Sequence, residues 1–439
     1  VFCHYGAGWD ATHTGTQIWS VRCNAEKQDC MTKALGMMER WDVLHHSDSG
    51  MEVVVPFVQL NEIKAYLWES KLQYTVLVED LAQQLKEQHE EEMMQKAGRI
   101  SREICIPGAC PKPLLKDYMS FQQVEWFLLD LMKTYPKQVR AVPVGVSVEG
   151  KSLWLVTVQL DNTVGVRQES SSGHRIGLRK AIFVEGGAHG REWISPATTL
   201  YILKKQADDC AVGKDCTHVY FFMPLVNPDG YEYTRETDRM WRKNRSKPPS
   251  GGKPCYGINL NRNWAYKWGG YSSSSLPCNN NYRGTEALSA PEVIAEAAAI
   301  QVVMIAPIYD LILYISYQSF GQKVLYPWGY SFTAVTDDDR ELRKGAIAYS
   351  GSLFPSYNKT YEVDKSSGVY PEAGTSLDYI KNLGVKYTYT IKLRDRGVKG
   401  VRLPTSEIRP TVEENWVGFK SLVEHANNNG GSLLSHCAK

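Results

Sequence analysis

The sequence predicts an α/β protein with a mixed, mostly parallel central sheet covered by helices on both faces, preceded by a small ferredoxin-like α+β module. Three observations lead there. The first ~80 residues order as β-α-β-β-α-β, the pattern of a split ferredoxin-like unit. A proline- and glycine-rich stretch, "CIPGACPKP" (105–113), then stops any helix and marks a boundary. Beyond it, continuous apolar strand candidates alternate with helices, as expected where a parallel sheet is buried on both faces.

In the opening module "TQIWSVRC" (16–23) alternates as a strand and "NAEKQDCMTKAL" reads as a helix. "WDVLHH" and "MEVVVPF" are strands across an "SDSG" turn, "QLNEIKAYLWES" is helical, and "YTVLVE" closes the unit as a strand. The charged run "DLAQQLKEQHEEEMMQKAGRISRE" reads as a solvated helix. After the boundary come the amphipathic helix "SFQQVEWFLLDLMKTYP", the strands "LWLVTVQL" and "KAIFVE", and a helix for which Ser195-Pro196 supplies an N-cap and first-turn proline. The strand "VYFFMPLVN", the helix "APEVIAEAAAIQVVM", the strand "LILYISYQS", a helix within "DDDRELRKGAIAYSGSL", the strand "YTYTIKLRD" and the helix "TVEENWVGFKSLVEHANN" complete the order. The expected divisions are an N-terminal tail 1–11, the module 12–95, a linker 96–113, the main domain 114–428 and a C-terminal tail 429–439.

The 439 residues carry 50 basic and 48 acidic side chains, formal charge +2, so neither nucleic acid nor an anionic membrane is expected as a partner. No apolar run approaches the ~20 residues of a membrane span. Ten cysteines include the close pairs Cys23/Cys30, Cys105/Cys110, Cys210/Cys216 and Cys255/Cys278, none with CxxC spacing. This usage points to disulfides and a secreted, extracellular protein. Residue 1 opens no basic-then-apolar leader, as expected once a secretory signal has been removed. The sequons at Asn244 and Asn358 fit that compartment. Cys3 and Cys437 lie in the tails, where they join each other or other chains.

Chemistry concentrates at "EGGAHGREW" (185–193), where His189 and Glu192 stand three apart in a glycine-rich turn, half of a zinc site. Both His189 and Asn227 fall beyond the carboxyl ends of strands, where such sheets bind ligands. The runs "MPLVNPDGYEYTRETDRMWRKNRS", "CYGINLNRNW", "YRGTEALSAPEV", "LYPWGYS" and "LRDRG" make the chain resemble the zinc metallocarboxypeptidases of the pancreatic A/B type, from about residue 12 to 428, with the opening module matching their prodomain.

That resemblance implies a third zinc-ligating histidine shortly before Tyr326-Pro327-Trp328-Gly329-Tyr330, and Gln318 stands there instead. A neutral amide oxygen is a feeble zinc donor beside imidazole. It also implies a glutamate general base in the last strand, where this chain has Lys392. An ammonium has no lone pair with which to take a proton. The expectation is therefore a catalytically degraded member with no cofactor, in which His189 and Glu192 are vestigial and the Lys392 ammonium pairs with Glu192. Zinc belongs only to the alternative, an active enzyme removing C-terminal apolar residues. A third reading is a disulfide-linked extracellular assembly protein.

By the same resemblance Arg242 matches the oxyanion-stabilising arginine, and Asn261 with Arg262 the clamp for a peptide's terminal carboxylate. Tyr370 matches the tyrosine that closes over substrate, and Leu377 the base of an apolar side-chain pocket. Asn261 and Arg262 equally fit a packed, hydrogen-bonded role within the fold. Arg191 reads either as a substrate contact or as a structural ion-pair partner. Cys255–Cys278 is the disulfide the family implies. Expected partners are peptide or protein C-termini and the chain's own prodomain lying against the cleft. Arg99 and Arg102 lie where a protease would release that prodomain.

Overall fold

The computed structural model describes residues 13–23, 27–47, 50–97, 113–160, 178–214, 216–248, 255–368 and 370–429. The opening module contains β1 (Gln17–Arg22), α1 (Lys27–Met38), β2 (Asp42–Ser47), β3 (Gly50–Val55), α2 (Leu60–Glu69), β4 (Gln73–Val78) and α3 (Leu81–Ala97). Its strands form one sheet in the order β2-β3-β1-β4, antiparallel throughout. Alternation in β1 and β3 sends Trp19, Val21, Val53 and Val55 to one face, where they pack with Met37, Ile63 and Leu67 from the two helices. The predicted split β-α-β-β-α-β unit is present, followed by the charged helix.

The main domain runs through α4 (Phe121–Thr134), β5 (Val139–Val146), β6 (Ser152–Val158), β7 (Arg179–Gly186), α5 (Ile194–Ala211), β8 (Val219–Met223), α6 (Pro228–Glu236), α7 (Pro291–Ile305), β9 (Tyr309–Gln318), β10 (Lys323–Tyr326), α8 (Asp339–Tyr357), β11 (Glu362–Lys365), α9 (Ser376–Asn382), β12 (Tyr387–Lys392) and α10 (Ile408–Asn429). Eight strands form one sheet in the order β11-β10-β12-β9-β7-β8-β6-β5. The centre, β12-β9-β7-β8, is parallel, while β6 and β5 add antiparallel strands on one side and β10 turns antiparallel against β12 on the other. Helices α5, α8 and α10 bury one face through residues such as Leu203, Leu353, Phe419 and Leu422, and α7 covers the other with Val293, Ile300 and Val303. Each such fully buried side chain contributes about 1.5–3 kcal/mol relative to exposure.

Local signals set several boundaries. Helix α4 starts with a reciprocal capping box between Ser120 and Gln123, and Asn227 caps α6 with Pro228 in its first turn. The predicted N-cap at Ser195 is a correction. Helix α5 begins two residues earlier, at Ile194, with Trp193 at the N-cap and no side-chain capping bond. The Ser195 hydroxyl is engaged elsewhere, accepting from the Gly187 N–H and donating to the Tyr317 carbonyl, so it ties the 185–193 turn to β9. Strand β5 was not legible from alternation. It is an edge strand containing Pro143, a position where a missing N–H costs no ladder bond.

Disulfides join Cys23–Cys30, Cys210–Cys216 and Cys255–Cys278. Cys3, Cys105, Cys110 and Cys437, with Arg99 and Arg102, lie outside the described residues. Asn244 corrects a sequon expectation: its side chain is fully buried, donates to Glu292 and accepts from the Ile258 N–H, so the folded protein offers no glycan acceptor there. Asn358 is exposed at the end of α8.

Candidate functional site

The site forms beyond the carboxyl ends of β7, β8, β9 and β12, with the module seated over it. The 187–193 turn follows β7 directly, and its shape depends on close backbone approach. A Cβ on Gly190 would lie 2.4 Å from the Gly230 carbonyl oxygen, so only glycine fits. This contact buries His189, Arg191 and Glu192 almost completely.

His189 and Glu192 face one another, with Nδ1 2.8 Å from Oε1, and His189 Nε2 lies 3.2 Å from Asn259 Oδ1. Burial and the nearby Arg242 guanidinium push His189 down to about 4, against the pull of Glu192, which leaves the ring neutral. A neutral imidazole has one N–H, and the shorter contact, to the carboxylate, takes it. Burial alone would raise Glu192, but His189, Lys392 and Arg242 overcome it and hold the carboxyl at about 2. Its Oε2 accepts from the Ser319 N–H at 2.9 Å, and Arg242 donates at 3.4 Å to Oε1, the oxygen that faces His189. Arg242 itself is lowered to about 10 by burial and by repulsion from Arg191.

Gln318 and Lys392 end the neighbouring parallel strands β9 and β12 and are direct register partners. Their side chains consequently emerge side by side, and Lys392 Nζ donates to Gln318 Oε1 at 2.7 Å. Gln318 Nε2 completes the amide by donating to Ser316 Oγ at 3.0 Å. The expected Lys392–Glu192 pair is a second correction. Among the described residues Glu192 is bonded to His189, Arg242 and the Ser319 backbone, and Lys392 reaches it only through its field. Strand register decides this, because it fixes the lysine beside Gln318. Burial lowers the Lys392 pKa from the ordinary lysine value. Among the described residues no group of three His, Cys, Asp or Glu side chains is arranged to hold a metal ion.

On the opposite wall, Arg262 is 2% exposed. It donates through Nε to the Ser272 carbonyl and through Nη1 to the Asn261 carbonyl, both at 2.7 Å, and through Nη2 to the Glu372 carboxylate. Asn261 Oδ1 accepts from the Ser376 N–H at 3.0 Å, fixing the start of α9, where Leu377 is buried. The Tyr370 hydroxyl is hydrogen-bonded to Glu372. Gly374 holds this loop against Arg262 with φ +70°, and a Cβ there would meet the Arg262 carbonyl oxygen at 2.6 Å.

Arg191 is ion-paired: both Nη atoms bond Asp42 of the module, with Nη2 3.0 Å from Oδ1. Around it Ile18, Val54, Leu81 and Leu85 of the module pack with Met240, Phe320 and Val401 of the main domain. Asn279 donates to the Glu39 carbonyl, and Arg402 to Gln84. Sequence reasoning assigned His189, Glu192, Gln318, Lys392, Arg242, Asn261, Arg262, Tyr370 and Leu377 to one site; the structure bonds His189, Glu192 and Arg242 to one another and Gln318 to Lys392, sets Arg262 and Tyr370 within the field of Arg242 through Glu372, and buries Leu377 at the start of α9. It missed Asp42, Asn259 and Glu372. Only Glu372 had a visible signal, an acid two residues past Tyr370 in a segment read for its tyrosine alone.

This architecture, a parallel sheet with a cleft at its carboxyl ends and a prodomain-like module across it, defines the carboxypeptidase class of α/β fold. The family model for zinc carboxypeptidases matches residues 124–418, and the chain belongs to that family. Among curated proteins it is 30% identical to carboxypeptidase A2 of Mus musculus over 429 residues, covering 95% of each chain. It is 32% identical to mouse carboxypeptidase A4 over 387 residues, covering 87% of this chain and 85% of that one. The solved structure of thrombin activatable fibrinolysis inhibitor superposes with a TM-score of 0.73 at 28% identity, covering 95% of this chain and 100% of that one. No described helix is long and apolar enough to cross a membrane.

Proposed function

We propose that this protein is a secreted carboxypeptidase-like pseudo-peptidase that serves a binding, regulatory or structural role without hydrolysing peptide bonds. One observation carries the reading: Lys392 Nζ donates to Gln318 Oε1 at 2.7 Å. The position where the family resemblance implies a third zinc ligand thus holds a neutral amide whose oxygen is engaged, and the position of the general base holds the ammonium that engages it. One imidazole and one carboxylate remain, a donor set that does not fit a catalytic zinc, for which three protein ligands are the rule.

On this reading Asn261, Arg262, Tyr370 and Leu377 are the remains of a pocket for a C-terminal residue with an apolar side chain, and Arg242 keeps the oxyanion position. The Asp42–Arg191 pair supports a prodomain that stays seated over the cleft. The active-enzyme reading draws on the intact His189–Glu192 turn and on relatives named as carboxypeptidases. Elemental analysis of purified protein, with peptides ending in Phe or Leu as substrates, separates the two. We expect zinc far below one per chain and no release of terminal residues; stoichiometric zinc with release would overturn the proposal.

A further inference from the structure

Arg262 stands at the position of the carboxylate clamp, and it already holds an anion from the same chain. The Glu372 carboxylate receives Arg262 Nη2, and the Tyr370 hydroxyl joins it. Burial alone would raise the Glu372 carboxyl, but Arg262, Lys392 and Arg242 overcome this and hold it at about 2, so it is ionised throughout the neutral range. A guanidinium and a phenol converging on one carboxylate is how this wall would grip a ligand's carboxylate.

The carboxylate is also presented rigidly. The Glu372 N–H donates to the Gly329 carbonyl at 2.8 Å, Ser272 Oγ donates to the Pro371 carbonyl at 2.7 Å, and the Ala373 N–H donates to the Tyr271 carbonyl at 3.0 Å. Trp264 N–H adds a bond to the Gly374 carbonyl at 3.1 Å. Pro371, Ala373 and Gly374 are thus tied to the 264–272 segment that follows Arg262, and the Glu372 backbone to the loop after β10. A tethered group competes with a free one at an effective concentration of mM or more, and a braced one does so with little ordering entropy left to lose.

We infer that Glu372 is a built-in ligand of the Arg262 clamp, so that the pocket does not select for a free C-terminal carboxylate. The inference rests on the proposed clamp role of Arg262, but not on the loss of zinc.

The test uses the full chain and two probes of one shape without a peptide bond, 3-phenylpropanoate and 3-phenylpropanamide, with dissociation constants from ligand-observed NMR. Wild type is expected to bind acid and amide within threefold of each other. Glu372→Ala should favour the acid at least tenfold, and adding Arg262→Met should return the pair to parity. Glu372→Gln, which keeps the side chain's volume, should shift preference the same way and serves if the alanine variant melts without cooperativity. A tenfold acid preference in wild type overturns the inference without any variant. So does a folded Glu372→Ala protein with no acid preference, because something else would then close the clamp. Neither probe carries a peptide bond, so these outcomes are independent of the zinc and peptidase measurements.

Discussion

Replacing Lys392 with methionine tests the central electrostatic argument. Lys392 Nζ lies 2.7 Å from Gln318 Oε1. A zinc ion taking that oxygen as its third donor at ~2.1 Å would sit no more than about 4.8 Å from the ammonium. At an effective dielectric of ~20, the repulsion between +2 and +1 at that separation is about 7 kcal/mol. The lysine has a cheaper escape, which is to release its proton. From the ordinary lysine value of about 10.4 that costs about 4.6 kcal/mol at pH 7, and burial makes it cheaper still. The smaller figure sets the limit, so Lys392→Met should tighten zinc binding by up to roughly 10³-fold. His189 adds no cost of this kind, because its Nδ1 proton can move to Nε2, where Asn259 Oδ1 waits at 3.2 Å. Competition against a chromophoric chelator at pH 7 measures both affinities, with circular dichroism to confirm the fold. An affinity for the variant within threefold of wild type would show that the ammonium does not keep zinc out.

Other consequences follow from the same contacts. Gln318→His combined with Lys392→Glu should bring zinc to about one per chain in elemental analysis, and occupancy no higher than wild type would mean the cleft's shape, not its donors, excludes the metal. Asp42→Asn leaves the Arg191 guanidinium, 1% exposed, without its counter-charge, and should cost about 3–5 kcal/mol in urea unfolding; a loss below about 1 kcal/mol would count against the pair as a tie between module and domain. Glu52 sits at the same interface with its carboxyl raised to about 7 by burial and by Asp395, with Arg402 opposing. A raised carboxyl is present without penalty below its unfolded value and loses stability as pH climbs through 7. Glu52→Gln should accordingly stabilise the protein by about 1–3 kcal/mol at pH 8 and by almost nothing at pH 4, read from denaturation midpoints. In material from a secretory host, peptide mass spectrometry should find glycan at Asn358 and none at buried Asn244.

The sequence by itself determined the longer strands and helices, because apolar periodicity and turn residues are local: β1 to β4 with their helices, and β6, β7, β8, β9 and β12, stand where alternation and continuous apolar runs placed them. Its motifs, through the resemblance they carry, also pointed to His189, Gln318 and Lys392 as neighbours, and each of the three follows or ends a strand. It did not reveal β5 with its proline, the short strands β10 and β11, the short helices α6 and α9, or the start of α5 two residues ahead of the expected position, because these depend on what neighbouring segments offer an N–H or a hydroxyl. Tertiary structure alone chose the partners. Lys392 and Gln318 are 74 residues apart and meet because β12 and β9 pair in register. Glu372 reaches Arg262 across 110 residues because its loop is bonded to the same wall, and Asp42 reaches Arg191 across 149 because two apolar faces dock. A charged side chain in sequence has many candidate counter-charges, and only packing, by excluding water from all but one of them, decides which it keeps.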